Sequence, residues 1–501
     1  MRAEDYTAAV ERYRTLVQQG AQHFAALRDA GTSRRSAWEP NFQRAFLVFS
    51  ALWRYQREHR ASLTEAGLRR WEVGDIACKL GQLYYSYYLH TAETRYLMDA
   101  AELFAAVQER GYFTGLERDA FLAGKKLRFY GRYVVATLMA GRPGAAANLA
   151  DEMEAALQGG RVASEVRGAW QATLNEVRSF MQAVRGAQGS RSGLYRFAKA
   201  PHQGRLARSG ASNLQLSAAL LLGSQVGGTR IAELSLDVFR MMQVLEFDMG
   251  EDSALHSSCN PLKHLLFEPD ALEVVASLAT LWTEVPQDSV VLIYLPGDFL
   301  HRSGLGPQDL VPFIRRPLFL IVDGRAPTFK SLCRRDGGEP AILLEAGNCR
   351  FPMGLGNKDG CSGGDGDSIF ALFLSRPALG FCALVEGGES LWEANCKAVQ
   401  DLEFNVAQVL DEWWAALLAS PPQDIEPAWA RVLDDPFLGQ IALNFAFARA
   451  VLTLYRSSAG EPPACSPELP IALAPSCQAV RRAVASLAQA AGCAELFAPA
   501  D

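Results

Sequence analysis

Paired cysteines, clustered histidines and phosphate-binding glycine motifs are all missing from this sequence. Its ten cysteines stand at 78, 259, 333, 349, 361, 382, 396, 465, 477 and 493, and no two form a Cys-x-x-Cys pair, which argues against a structural zinc site. The seven histidines do not cluster. No P-loop and no Gly-x-Gly-x-x-Gly after a strand is present, so nucleotide binding has no support. No apolar run reaches the ~18 residues that span a bilayer, and residues 1–20 lack the apolar stretch of a signal peptide. The expectation is a chain with reduced thiols in the nucleus or cytoplasm, with no membrane contact, no metal and no cofactor.

What is present is core-forming material. Hydrophobic residues make up 49% and charged residues 21% of 501 residues. At ~100–200 residues per domain this is two to four domains with ample cores. The net charge of −6 argues against a protein that coats nucleic acid along its whole length. The charge is uneven: residues 1–210 carry 30 Lys and Arg against 20 Asp and Glu, and residues 211–501 carry 19 against 35. Such a split suits a basic half that meets acidic partners, or simply two solvated or mutually docked halves.

Residues 1–186 read as a helical domain. Phe42, Phe46, Phe49 and Trp53 recur at three- and four-residue spacing, one helix face. Ile76, Leu80, Tyr84 and Tyr88 form a similar stripe within 71–90. Further helices are expected over 96–110, stopped by Gly111, and over 125–139, 145–157 and 163–183. One pair resembles a tetratricopeptide unit: Leu80-Gly81-x-x-Tyr84 fits its first helix and Ala100-x-x-x-Phe104 its second, with Gly81 letting the two approach. Residues 187–212 read as a basic Gly/Ser/Arg linker.

From 213 to 501 the pattern becomes α/β. Short apolar runs at 263–267, 289–295, 318–322 and 341–344 lack polar alternation, as strands buried on both faces do. A helix over 270–285, capped by Asp270, stands between the first two. A small, mostly parallel sheet is expected at about 260–345, with extra helices over about 369–501 and a proline-rich connector at 462–475.

Several motifs touch on chemistry without completing it. Gly360-Cys361-Ser362-Gly363-Gly364 matches a nucleophile elbow, but a turn-rich loop precedes it and no His follows His301, so the order Ser, acid, His cannot be made. A plain glycine loop is the better reading. Asp359, Asp365 and Asp367 lack the spacing of a calcium loop, and Asp367 suits a helix cap. Asp323 ends an apolar strand, a place where α/β sheets bind ligands, although Asp-Gly also simply turns the chain. Lys125, Arg128 and Arg132 share a helix face and are candidate residues for binding a protein partner or phosphate, with a solvated face or an ion pair with a neighbour as the plainer reading. In the run 83–88, helical spacing puts most rings in the core and leaves Tyr85 or Tyr87 for a partner or a neighbouring helix.

Six blocks in order, WEVGDIACKLGQLYYSYYLH (71–90), KKLRFYGRY (125–133), ELSLDVFRMMQVLE (233–246), VLIYL (291–295), RPLFLIVD (316–323) and IFALFLSRP (369–377), resemble the suppressor of cancer cell invasion (SCAI) family. The resemblance implies a transcriptional cofactor or corepressor without catalytic residues. Its animal members bind myocardin-related coactivators and are linked to DNA breaks. Partners implied are transcription factors or coactivators, with chromatin-associated proteins as further candidates. The chain departs from the pattern at 187–212 and in a short loop at 296–307. Two rival readings stay open: a hydrolase-like enzyme in the α/β half, and nucleic-acid binding by the basic half.

Overall fold

The computed structural model describes residues 3–30, 35–114, 119–159, 214–223, 236–246, 260–325, 327–333, 341–347, 369–385, 396–456, 461–499 and parts of 167–178. The chain divides into two compact units, Met1–Met181 and Gln182–Asp501.

The first unit is helical. Its helices are α1 (Ala3–Ala30), α2 (Arg35–Glu58), α3 (Arg60–Glu65), α4 (Arg70–Thr91), α5 (Thr94–Glu109), α6 (Ala120–Met139) and α7 (Pro143–Gly159). They pair as hairpins, α1 with α2, α4 with α5 and α6 with α7. The expected aromatic stripe of α2 is the core: Phe42 and Phe49 are fully buried among Trp38, Leu52, Leu83 and Tyr87. The rings meet edge to face, Trp38 with Phe42 at 5.6 Å, Phe42 with Tyr87 at 5.2 Å and Tyr87 with Tyr96 at 4.7 Å. Each such pair adds about 0.5–1.5 kcal/mol beyond its burial. The tetratricopeptide-like hairpin is α4–α5. A Cβ at Gly81 would lie 2.8 Å from the Phe104 ring, so the residue's smallness sets how closely the helices pack. Gly111, at φ +57°, follows α5 as expected. The helix expected over 163–183 lies largely outside the described residues.

The second unit is a three-layer α/β fold. Its elements are β1 (Gln215–Gly223), α8 (Leu236–Val244), β2 (Leu262–Phe267), α9 (Ala271–Glu284), β3 (Ser289–Pro296), α10 (Gly297–Ser303), α11 (Pro307–Leu310), β4 (Leu318–Asp323), α12 (Lys330–Cys333), β5 (Ala341–Glu345), α13 (Ile369–Ser375), α14 (Pro377–Val385), α15 (Cys396–Ala419), α16 (Pro427–Val432), α17 (Pro436–Leu454), β6 (Ala464–Ser466) and α18 (Gln478–Ala490). The strands run in the order β2-β1-β3-β4-β5-β6, parallel except for β6. The apolar runs at 263–267, 289–295, 318–322 and 341–344 are β2 to β5. The sheet is nevertheless wider than 260–345. It begins with β1, which the sequence reading passed over, and ends with β6 inside the proline-rich stretch taken as a connector.

Alternation along each strand sorts the helices. Ala218, Leu220 and Leu222 of β1, Val291, Ile293 and Leu295 of β3, and Leu318, Leu320 and Val322 of β4 pack in one core with Val274, Leu278 and Leu281 of α9. Gly223 is on the other face, where an added Cβ would lie 3.5 Å from Val238 of α8. Phe319 reaches Trp429 of α16 there. The helix after β1 therefore covers one face and those after β2, β3 and β4 the other, which right-handed crossovers require when the chain reverses direction across a sheet. The reversal falls between β1 and β3.

Asp270 caps α9 as expected from the sequence, and the structure adds Glu273, whose side chain reaches back to the Asp270 N–H. Asp435 caps α17, accepting from Phe437 N and Leu438 N at 3.0 Å each, and takes the N–H of Leu216 at 2.8 Å, tying this helix to the start of β1. Among the described residues α17 is the helix long and apolar enough to cross a membrane by length and composition. In this fold 89% of that stretch is buried, and it is the unit's central helix.

Candidate functional site

Lys125, Arg128 and Arg132 do share one face of α6, and the structure adds Phe121 to it. At successive offsets of four, three and four residues the four side chains stand within one stripe. Asp119 sets this register by capping α6 through Phe121 N (2.9 Å) and Leu122 N (3.3 Å). No acidic residue occurs between Asp119 and Asp151, while Lys125, Lys126, Arg128, Arg132 and Arg142 fall there.

The stripe lies against a matching one on α4: Trp71, Asp75, Cys78 and Gln82. The Lys125 ammonium is 2.9 Å from Asp75 Oδ2 and 5.0 Å from the centre of the Trp71 ring. Lys79 holds the same carboxylate oxygen at 3.1 Å. Burial alone would raise the Asp75 pKa, but the two ammonium groups outweigh it and hold the carboxyl below its usual range. Further along, Arg132 stands in the field of Cys78. The pairing advances in the same direction on both helices, so α4 and α6 run parallel, as first helices of successive hairpins do.

The cations differ in what answers them. Lys125 is neutralised by Asp75. Arg128 and Arg132 are exposed, and among the described residues no ion pair joins either to a carboxylate. Desolvation by the surrounding protein, and Arg128 beside it, lower the Arg132 pKa even though the residue is wetted. Two further polar atoms on the α4 stripe are buried without a hydrogen-bond partner, Trp71 Nε1 and Gln82 Oε1. One is a donor and the other an acceptor, each costly to leave unmet. Phe121 is 62% exposed at the head of the α6 stripe.

Of the two tyrosines left over, the structure gives Tyr87 to a neighbouring helix, α2. Tyr87 is not left for a partner: it is 6% exposed, packed among Trp38, Phe42 and Tyr96, and its hydroxyl donates to Glu39 Oε1 at 2.8 Å. Helical spacing from Tyr84 placed both rings near the core edge, but α2 lies across Tyr87 and not across Tyr85. Tyr85 is half-buried and 6.0 Å from the Tyr88 ring.

A second group gathers where the sheet reverses. Tyr294 of β3 is fully buried and its hydroxyl donates to Asp323 Oδ2, 2.9 Å away at the carboxyl end of β4. Asp237 and Arg240 of α8 pair at 3.4 Å, and both act on the phenol. Burial first, then the carboxylates of Asp323 and Asp237, push the Tyr294 pKa well up, so the phenol stays a donor. Its role is to hold the Asp323 carboxylate in place. The turn beside it is tight, because a Cβ on Gly297 would lie 2.2 Å from the Asp323 carbonyl oxygen. Ser362, Asp359, Asp365 and Asp367 lie outside the described residues. Among the described residues no three His, Cys, Asp or Glu side chains are grouped to hold a metal ion.

Sequence reasoning missed Asp75, Trp71, Gln82 and Phe121. Phe121 stands four residues before Lys125 and so was within reach of the same spacing argument. The α4 residues were not, because the neighbour relation between α4 and α6 is tertiary.

The chain is 28% identical to Protein SCAI of Homo sapiens over 513 residues, covering 88% of this chain and 81% of that protein. The Mus musculus Protein SCAI gives the same identity and coverage. A Protein SCAI homolog from Dictyostelium discoideum is 28% identical over 287 residues, 48% of this chain and 36% of that one. No solved structure matches. The family model described as Protein SCAI matches residues 15–259 and 298–458, which takes in α4, α6, β1, α8 and the Asp323 edge and passes over β2, α9 and β3. Spanning most of both folded units, that match makes this chain a member of the SCAI family.

Proposed function

We propose that the chain is a transcriptional cofactor of corepressor type that acts in the nucleus by binding other proteins, without a reaction of its own. The observation that carries this reading is that the family match runs through both units, together with the corepressor role that the resemblance implies. The helical unit adds support: stacked helical hairpins bury their cores and leave continuous faces for other chains. Its partners on this reading are transcription factors or coactivators, of the myocardin-related type in animal relatives.

The test is affinity capture of the tagged full-length chain from nuclear extract, with crosslinking mass spectrometry on what is retained. Transcription regulators crosslinked to the chain are expected. Recovery of metabolic enzymes with no transcription or chromatin protein sinks the reading.

One observation favours a second reading. The strand order reverses beside Tyr294 and Asp323, and open α/β sheets bind small ligands at such reversals, outside the strand carboxyl ends. A hydrolase or ligand-binding role there predicts turnover or binding that Asp323→Asn abolishes.

A further inference from the structure

We propose that the face shared by α4 and α6 is a docking surface for an acidic, amphipathic segment of a protein partner, with Arg128 and Arg132 taking its carboxylates and Phe121 its apolar anchor. The inference rests on the protein-binding reading above and gives it a place and a chemistry.

Charge complementarity selects the occupant. The α6 stripe is built from residues that follow Asp119 with no acid until Asp151. Asp75 forms its ion pair with the first cation of the stripe, and its charge reaches Arg132 without pairing with it. Arg128 and Arg132 repel one another at i, i+4 spacing, and like charges so placed cost stability unless a counter-charge arrives. Two carboxylates one helical turn apart on a partner helix match that separation. Guanidinium groups also take carboxylates two-pronged, which fixes register.

The apolar side of the segment has a seat as well. Phe121 is exposed one turn before Lys125, whose ammonium is 5.3 Å from its ring centre. The Trp71 ring flanks the same ammonium. An aromatic or aliphatic side chain one turn ahead of the two carboxylates would cover Phe121. Trp71 Nε1 and Gln82 Oε1, on the α4 stripe, are buried and unmet. The exposed Phe121 beside the cations favours a segment that carries an apolar side chain over a duplex phosphate backbone, which offers none.

The experiment uses the full chain and a fluorescein-labelled synthetic four-turn helical peptide with Glu pairs at i, i+4 and a Phe one turn ahead. Controls are the scrambled peptide and a duplex DNA oligonucleotide, all read by anisotropy. The ordered peptide should bind more tightly than the scrambled one. Arg128→Glu with Arg132→Glu should weaken it at least about tenfold, with an unchanged melting curve. A peptide carrying Lys for Glu should regain binding to that double variant. Phe121→Ala should weaken binding several-fold without changing its salt dependence. Equal binding of the acidic peptide by the wild type and the double variant overturns the proposal. So does failure of the charge-swapped peptide, or DNA binding as tight as the peptide's. In nuclear extract, a double variant that still crosslinks to the same transcription regulators through other surfaces defeats this docking site and leaves the cofactor reading standing. A wild-type chain that captures no such protein defeats the cofactor reading instead.

Discussion

The two units treat charge in opposite ways. In the α/β unit, charges that leave solvent are answered inside: Lys263 of β2 and Glu246 after α8 are each 2% exposed and pair at 3.5 Å, and the buried Asp435 carboxyl takes three backbone N–H groups. In the helical unit the buried interior is aromatic, and on the α4–α6 face Asp75 meets Lys125 while, among the described residues, no carboxylate forms an ion pair with Arg128 or Arg132. A charge closed inside serves the fold that closes it. A charge left half-answered on a rigid face is available to another molecule.

That contrast is breakable. The largest effect is expected from Lys263→Ala, which strands Glu246 without its cation and should cost about 3–5 kcal/mol. Denaturant unfolding followed by hydrogen exchange should show the loss in the second unit and leave the protection of α4 and α5 unchanged. A loss shared equally by both units would mean that they do not unfold separately.

Next in size is Gly81→Ala. The new methyl meets the Phe104 ring, which is held in the core, and overpacking of this kind costs about 1–3 kcal/mol. Here the loss should fall on the helical unit, read by the near-ultraviolet signal of its aromatic cluster.

Asp435 sharpens the comparison through pH. Burial pushes its carboxyl from the ordinary 3.8 up to about 6, against the pull of its three backbone donors. The unfolded chain gives up this proton first, so between about pH 4 and 6 the folded state holds more protons and stability falls as pH rises. In Asp435→Asn that fall should vanish from the pH series. Asp435→Ala should also lose the cap of α17, about 1–2 kcal/mol.

Asp75 gives the smallest and opposite signal. Its carboxyl lies below its ordinary 3.8, so its stabilisation is present above that value and fades as pH falls through the lowered one. Asp75→Asn should cost under ~1 kcal/mol at neutral pH and nothing in strong acid. Because it frees Lys125, it should strengthen binding of the acidic peptide.

Much of the fold was legible, for identifiable reasons. The helices of the first unit announce themselves through aromatics at three- and four-residue spacing, and β2 to β5 through short runs without polar alternation. β1 did not, because its sequence QLSAALLLG is mostly Leu and Ala with no β-branched or aromatic residue, a composition that favours helix. Pairing on both sides, with β2 and β3, overrides that preference. β6 is three residues long among prolines, too short for any period to show. At the α4–α6 face the sequence set the stripe of cations correctly, because one helix suffices for that. It gave no sign of which cation is neutralised, since Asp75 lies on another hairpin, nor that α2 would close over Tyr87.

The position of β6 carries a consequence for how the chain is made. It joins the sheet next to β5, and the two are separated in sequence by more than a hundred residues, all of which must leave the ribosome before the last strand is added. The helical hairpins, each closed by neighbouring segments, can form long before that point. Until Ala464–Ser466 arrives, β5 presents a bare edge of backbone donors and acceptors on a strand that is apolar from Ala341 to Leu344. A nascent or prematurely stopped chain ending before this segment is therefore the form most prone to aggregate.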